Sequence, residues 1–375
     1  MITVEELIAG RQYDLTEAAK QDALLPLLAA SVDRCAEGSS AYRKFLAANR
    51  FAPSQARSVA DFPPLPVAMF KEFDLRVCSE SQVVRVLESS GTSGQARSRI
   101  YLDTATSHRQ QRALLSILKS WLGSERRPCL IFDVPEVHDP AVGRTLAGRG
   151  AAIRGIQSFA SETVYGLKST TDGMEIDQSA LDDFGTRHRH TPVLVFGFTF
   201  VLWSELIRSG YRLDLPRATV LHGGGWKKLS SESVTRRAFN EQLARALGCA
   251  VTAVRDYYGM IEQVGTIFVD CEYGLKHAPA FSTVLIRDPL TMLPCGVAQE
   301  GLIEVVSVLP SSYPGHVLLT EDQGRIIDVD GCRCGRRGVA FEFTSRVLGA
   351  ELRGCGDVLA ARSLEIGAGA GVSRP

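Results

Sequence analysis

Apolar residues recur at helical spacing through residues 1–60, in "VEELI", "TEAAKQDALLPLLAASVDRCAEGS" and "AYRKFLAANR", and predict an N-terminal helical segment. The stretch "DFPPLPVAMFKEF", residues 61–73, breaks that rhythm with three prolines and reads as a connector. Short continuous apolar runs then alternate with helical patterns. "VVRVLESS", "PCLIFDV", "TPVLVFGF" and "ATVLHGGG" predict strands, while "TATSHRQQRALLSILKSWL", "FVLWSELIRSG" and "SESVTRRAFNEQLARALG" predict helices. The alternation predicts an α/β core with substantial parallel sheet. Beyond Tyr258 the texture becomes β-rich, in "TVLIRDP", "GLIEVVSV" and "GHVLLTEDQGRIIDVD", and predicts a small β-subdomain at about 265–345. The terminal "EIGAGAGVSRP" is expected to be disordered.

Composition narrows the picture. Hydrophobic residues make up 45% and charged residues 22%, and Lys+Arg equals Asp+Glu at 42, for zero formal net charge. That leaves no general electrostatic case for nucleic acid or an anionic membrane as partner. "MITVEELIAGRQYDL" has no basic stretch followed by an apolar one, so no export signal is read. The most apolar run, "TPVLVFGFTFVLW" (191–203), is too short to span a bilayer. Nine cysteines, an odd number, with no such signal predict reduced thiols and a cytoplasmic location.

The candidate chemistry begins in "LESSGTSGQARSRIYLD", residues 87–103. The backbone N–H groups and hydroxyls of Ser89, Ser90, Gly91, Thr92, Ser93 and Gly94 could wrap phosphate oxygens, with Arg97 and Arg99 supplying charge. The same composition also makes an ordinary surface turn, and neither a Walker ending nor a dinucleotide fingerprint decides between them. Cys355 lies between Gly354 and Gly356, with Arg353 close by. Glycines leave its sulfur open and a guanidinium favours the thiolate, although a small buried cysteine is a common core residue. Cys271, His277, Cys332 and Cys334 offer three thiolates and one imidazole, a plausible tetrahedral zinc set with an unusually tight Cys-x-Cys pair. His108 is placed on a helix near the loop, and His138 and "RHRH" (187–190) read as solvated surface.

Three further stretches give the loop a context. "YYGMIEQ" holds Tyr258-Gly259 and then Glu262; "LLTEDQGRI" sets Thr320-Glu321-Asp322 before an expected turn; "TSRVLGAELRGCGD" places Arg346 ahead of a Gly-rich segment. In this order they resemble the adenylate-forming enzymes, the superfamily of acyl-CoA synthetases, luciferases and phenylacetate-CoA ligases, from about Pro63 to Asp357. The resemblance implies that residues 89–94 hold the ATP β/γ-phosphates, with Thr92 near the metal. It implies that Gly223, Gly224 and Gly225 line the adenine, Tyr258 stacks on it beside Gly259, and Glu262 helps hold Mg²⁺. Asp322 would accept both ribose hydroxyls, and Arg346 would contact ribose or phosphate. Taken singly, Glu262 could be a solvated helix charge, Asp322 a turn residue and Tyr258 a core ring. Two departures stand out: Ile261 occupies the place of the usual Thr, and the usual Lys after the phosphate loop is absent, Arg97 or Arg99 being the nearest cation.

"FPPLPVAMFKEF", "SSGTSG", "FGFTFVL", "GGGWK" and "RGC" resemble one branch in particular, the LuxE-like acyl-protein synthetases of bacterial bioluminescence. The resemblance implies an adenylate-forming core over 61–345, mixed β-sheets flanked by helices plus the β-subdomain. The C-terminal lid domain is expected to be absent, with 346–375 a short arm bearing Cys355. It also implies adenylation of a fatty acid with MgATP, transfer of the acyl group to Cys355, and delivery to a protein such as a reductase or carrier. Phe198 and Trp203 are expected to line the acyl pocket or to belong to the core. Some phenylacetate-CoA ligases carry zinc where the Cys/His set stands, with a structural duty only. The alternatives are an acyl- or aryl-CoA ligase using CoA as acceptor, and a non-catalytic scaffold that keeps the fold.

Overall fold

The computed structural model describes residues 2–89, 97–138, 145–171, 173–224 and 234–346. These divide into two compact units. One takes the chain up to Ala113, Met260–Thr266 and the residues from His277 onward; the other takes Leu114–Gly259 and Ile267–Lys276. None of the described helices is long and apolar enough to cross a membrane.

The first unit opens with the expected helices, Val4–Ala9, Glu17–Gly38 and Ser40–Ala48. Thr3 and Glu6 form a reciprocal capping box, while the Thr16 and Ser39 hydroxyls each accept an orphan N–H of the helix that follows. Leu24, Leu28, Val32 and Cys35 recur every three or four residues, so one face of the long helix is wholly buried. The Pro-rich connector is more ordered than its composition suggests. Leu65–Pro66 pairs in parallel with Leu318–Leu319, and Met69–Glu72 makes one helical turn. Proline is tolerated there because the pairing is only two residues long at a sheet margin. Ser282–Arg287, Gly301–Ser307, Val317–Val329 and Val339–Arg346 form an antiparallel meander, as the alternation after Tyr258 predicts. Arg85–Glu88 and Arg99–Leu102 pair antiparallel on either side of the candidate phosphate loop.

In the second unit Ala160–Tyr165, Arg127–Phe132, Val193–Phe198, Ala218–Gly223 and Val254–Tyr258 lie side by side in that order, all parallel. The three central strands, Arg127–Phe132, Val193–Phe198 and Ala218–Gly223, are near-continuously apolar because both faces are buried. Ala160–Tyr165 and Val254–Tyr258 carry polar residues, are only partly buried and are not among the expected strands. Phe268–Asp270 adds antiparallel to Val254–Tyr258. The helix Arg236–Leu247 is capped by the Thr235 hydroxyl and ends at Gly248, whose φ of 69° is the left-handed conformation glycine adopts without penalty. "FVLWSELIRSG" is not a plain α-helix: Thr199–Val201 makes one turn and Leu202–Ile207 continues as a widened π-type turn. Helices Gly148–Gln157 and Gln178–His188 complete the layer and are not among the expected elements. Within "RHRH", Arg187, Arg189 and His190 are exposed as expected, but His188 is half-buried with its ring 4.7 Å from Phe184.

Candidate active site

In the first unit the candidate residues gather around one strand. Thr320, Glu321 and Asp322 lie inside Val317–Val329, so the turn expected after Asp322 does not form. Gly324, which suggests a turn in sequence, serves a bulge instead. Pairing steps from Gln323↔Ser345 to Gly324↔Phe343, and a Cβ on Gly324 would lie 2.4 Å from the Glu342 carbonyl. Just before that bulge Asp322 is paired with Arg346. The Thr320 hydroxyl donates to the Ile303 carbonyl at 2.8 Å and accepts from the Asp322 N–H at 3.2 Å, which steers the Asp322 backbone. Arg346 reaches Glu321 at 3.3 Å and Asp322 at 3.8 Å, but its side chain is 72% exposed, so these contacts contribute at most about 1 kcal/mol.

Glu262 is held by a different device. Its neighbour Gln263 is buried and donates through Nε2 to the carbonyls of Val305 and Gly315, at 3.1 and 2.8 Å. Gly315 permits this approach, since a Cβ there would stand 2.7 Å from the Glu262 carbonyl oxygen. The result is a carboxylate only 7% exposed, not a solvated helix charge. Burial pushes its carboxyl above the ordinary range, against the opposing influence of the Ser98 hydroxyl and the Lys71 ammonium. Gly265, with φ 88°, turns the chain away where a Cβ would lie 2.6 Å from the Gln110 carbonyl. Gly265→Ala is therefore expected to destabilise the protein by about 2–4 kcal/mol, from left-handed strain plus the backbone clash. The midpoint of denaturant unfolding checks this; a change within error of wild type would contradict it.

Ser89 closes the base of the candidate loop, exchanging hydrogen bonds with Ser98: Ser89 N–H to the Ser98 carbonyl at 3.1 Å, and Ser98 N–H to the Ser89 hydroxyl at 3.0 Å. Ser90, Gly91, Thr92, Ser93 and Gly94 lie outside the described residues, as do Gly225 and Cys355. Arg97 and Arg99 both face Glu88, at 3.6 and 3.4 Å. A cation that the sequence does not single out stands nearer the acidic residues: the Lys71 ammonium lies 3.7 Å from Glu321. Its only signal in sequence is its place in "VAMFKEF".

In the second unit, Gly223 ends its strand and carries the Tyr257 ring so closely that a Cβ would lie 2.6 Å from it. Gly224, at φ 78°, lies against Phe198. Tyr258 ends the neighbouring strand half-buried, its ring 6.1 Å from Phe268, and Gly259 is exposed. Phe198 thus sits at the carboxyl end of a parallel strand, where ligands of open α/β sheets bind. Trp203 instead packs toward Phe239, ring centroids 6.4 Å apart.

Behind these strand ends lies a buried polar group absent from the sequence reading. Lys276 pairs with Asp256 at 2.7 Å and Asp270 at 2.9 Å. Burial alone would lower its pKa, but the two carboxylates hold it above the ordinary lysine range. Burial lowers the pKa of His222 against the opposing pull of the Asp256 carboxylate, and its Nδ1 and Nε2 lie 3.1 Å from Thr199 Oγ1 and 3.2 Å from Asn240 Oδ1. The signal that could have found this group is weak: one lysine among apolar residues, pairing with carboxylates 6 and 20 positions away.

Three of the candidate zinc ligands come together in the first unit: the donor atoms of His277, Cys332 and Cys334 all lie within 4.8 Å of one another, with Cys334 Sγ 3.3 Å from His277 Nε2, while Cys271 belongs to the second unit. A zinc ion about 2.3 Å from sulfur and about 2.0 Å from nitrogen holds neighbouring ligands roughly 3.5–3.8 Å apart, so the donor set fits. A tight turn shapes the ligand-bearing segment in each unit. The Gly274 N–H donates to the Cys271 carbonyl and the Gly335 N–H to the Cys332 carbonyl, each at 2.9 Å, with both glycines at positive φ. Around the knuckle, Asp330 accepts from the N–H groups of Glu17 and Gly338, and the Tyr13 ring stands edge-on to His277 at 6.4 Å.

Comparison with known proteins bears on what these residues do. A family model described as acyl-protein synthetase, LuxE, matches residues 5–363. The chain is 23% identical over 175 residues to a long-chain-fatty-acid–luciferin-component ligase of Aliivibrio fischeri, 45% of this chain and 46% of that protein. It is 28% identical over 137 residues to the ligase of the same name from Vibrio harveyi, 36% of this chain and 35% of that protein. Each match therefore spans less than half of the relative. An open conformation of 2-hydroxyisobutyryl-CoA ligase in complex with 2-HIB-AMP and CoA superposes with a TM-score of 0.62 at 14% identity, covering 89% of this chain and 76% of that one. The fold is that of the adenylate-forming ligases.

Proposed function

We propose, from the premise that this chain belongs to the LuxE family of acyl-protein synthetases, that it activates a fatty or other carboxylic acid with MgATP and then takes the acyl group onto its own Cys355. The observation that carries the reading is the gathering of Glu262, Asp322 and Arg346 in one unit of an adenylate-forming fold. The family match also runs through position 355.

In the first half-reaction a substrate carboxylate oxygen attacks the α-phosphorus, and the bond to the β-phosphate breaks. Pyrophosphate leaves with the electron pair and an acyl-adenylate remains. Little covalent chemistry is asked of the protein, so positioning and charge carry the step. Mg²⁺, when bound, neutralises phosphate charge, and Glu262 would hold it. The Asp322 carboxylate would accept both ribose hydroxyls. In the second unit Gly224 and the Tyr258 ring, beside a Gly223 covered by the Tyr257 ring, would keep the adenine role that the family pattern implies, and Phe198 would face the acyl chain. In the second half-reaction the Cys355 thiolate attacks the acyl carbonyl carbon, and AMP departs with the phosphate oxygen's bonding pair, leaving a thioester. An acyl-accepting protein, a reductase or a carrier, would then receive the acyl group. Zinc held by Cys271, His277, Cys332 and Cys334 would be structural and take part in neither step.

ATP–pyrophosphate exchange with a panel of carboxylic acids tests the reading, and no exchange with any acid would overturn it. Strict dependence of thioester formation on added CoA would favour a CoA ligase instead. Within the exchange assay, Asp322→Asn is expected to lower kcat/KM for ATP about 10- to 100-fold, the worth of hydrogen bonds to a charged acceptor, while the KM for the acid stays near wild type. Unchanged kcat/KM would remove Asp322 from the ribose site.

A further inference from the structure

The family pattern expects a lysine after the phosphate loop, and this chain has none there. The two arginines that the sequence offers in exchange, Arg97 and Arg99, both face Glu88. We infer that Lys71 is the cation that contacts the phosphates of the nucleotide during adenylation. The inference rests on the adenylation reading above and assigns it a residue from outside the loop.

The placement of Lys71 follows from backbone register. Leu65↔Leu318 and Pro66↔Leu319 pair in parallel, and the Val67 N–H donates to the Leu319 carbonyl at 3.0 Å. The connector is thereby fixed alongside the strand that continues into Thr320, Glu321 and Asp322. Met69 and Phe70 are buried, and the Phe70 ring meets Tyr313 edge-on at 6.0 Å, so the turn carrying Lys71 is anchored from beneath. Its side chain, 36% exposed, points its ammonium to within 3.7 Å of Glu321 and acts on the buried Glu262 as well.

The charge balance says what such an ammonium is for. Glu262, Glu321 and Asp322 place three carboxylates where the proposed reaction brings a polyanion. Lys71 and Arg346 both face them; Arg346 is 72% exposed, whereas Lys71 is half that exposed on a turn anchored by buried residues. At 3.7 Å the Lys71–Glu321 contact is longer than a charge-assisted hydrogen bond of about 2.7–2.9 Å, so the ammonium is held loosely. A flexible stem with three rotatable donors can turn from a carboxylate to a phosphate oxygen at little cost. As the carboxylate oxygen bonds to the α-phosphorus and pyrophosphate departs, Lys71 donates hydrogen bonds to phosphate oxygens and neither gains nor loses a proton.

The test compares Lys71→Met, which keeps the aliphatic stem, and Lys71→Arg with wild type. Two readouts are taken: ATP–pyrophosphate exchange, and calorimetric affinity for MgATP and for adenosine without acid. Lys71→Met is expected to lower kcat/KM for ATP about 100- to 1,000-fold, the usual cost of removing one charge-stabilising donor. It should weaken MgATP about tenfold or more while leaving adenosine unchanged, and Lys71→Arg should recover about a tenfold share of the loss. Equal weakening of adenosine and MgATP would mark Lys71 as structural and overturn the inference. So would exchange within about fivefold of wild type in Lys71→Met. A wild-type protein with no exchange on any acid would instead reject adenylation itself.

Discussion

Replacing Cys355 by alanine is expected to abolish covalent acyl labelling altogether. The full protein, incubated with MgATP and a radiolabelled fatty acid, should acquire a label that resists denaturing gel electrophoresis and is removed by neutral hydroxylamine, the behaviour of a thioester. Cys355→Ala should show none. The size of the effect follows from chemistry. Of the nucleophiles a side chain can present at neutral pH, a thiol is a few per cent ionised and strongly nucleophilic, whereas a serine hydroxyl in its place is weak unless an adjacent base activates it. Cys355→Ser should therefore label at a small fraction of wild type, and any label it carries should resist hydroxylamine as an oxygen ester. ATP–pyrophosphate exchange reads only the first half-reaction and should continue in both variants. Undiminished labelling of Cys355→Ala would move the acceptor to another residue.

The second large effect concerns the Cys/His cluster. Protein purified without chelators should contain about one equivalent of zinc, and Cys332→Ser should contain less than about a tenth. Cys332 is 8% exposed and His277 fully buried, so removing the ion would leave buried donors with no common partner. The loss should be about 4 kcal/mol or more, as for other structural metals, and should lower the thermal midpoint by about 5 °C or more. The damage should spread along identifiable contacts. Tyr13 lies against His277, its carbonyl accepts from the Arg337 N–H at 2.8 Å, and Asp330 receives the first N–H of the helix Glu17–Gly38. Hydrogen exchange should accordingly quicken at residues 13–20 in Cys332→Ser. Full stability with no zinc would show that packing alone holds the knuckle.

Much of the fold is legible in the sequence because its causes are local. The N-terminal helices follow from apolar spacing and from Thr3, Thr16 and Ser39 at their starts. The three central parallel strands follow from continuous apolar runs buried on both faces, while Ala160–Tyr165 and Val254–Tyr258, with polar residues and partial burial, carry no such signal. The helices Gly148–Gln157 and Gln178–His188 escaped because Gly and polar residues dilute their pattern. Asp322 precedes an expected turn in the sequence because Gly324 is a turn residue in isolation. Only the partner strand, with its bulge opposite that glycine, makes it part of a sheet.

By itself, the sequence determined the order of motifs, the residue types that could hold nucleotide, acyl group and zinc, and the likeness to one family of ligases. Tertiary structure decided which of these meet. Lys71 reached Glu321 through the pairing of Leu65–Pro66 with Leu318–Leu319. His277 met Cys332 and Cys334 across more than fifty residues of chain. Glu262 became a buried carboxylate rather than a surface charge through Gln263 and Gly315. The reason is the reach of the interactions: spacing and capping act within a helical turn or a strand, whereas register and burial depend on partners that the chain brings close only by folding.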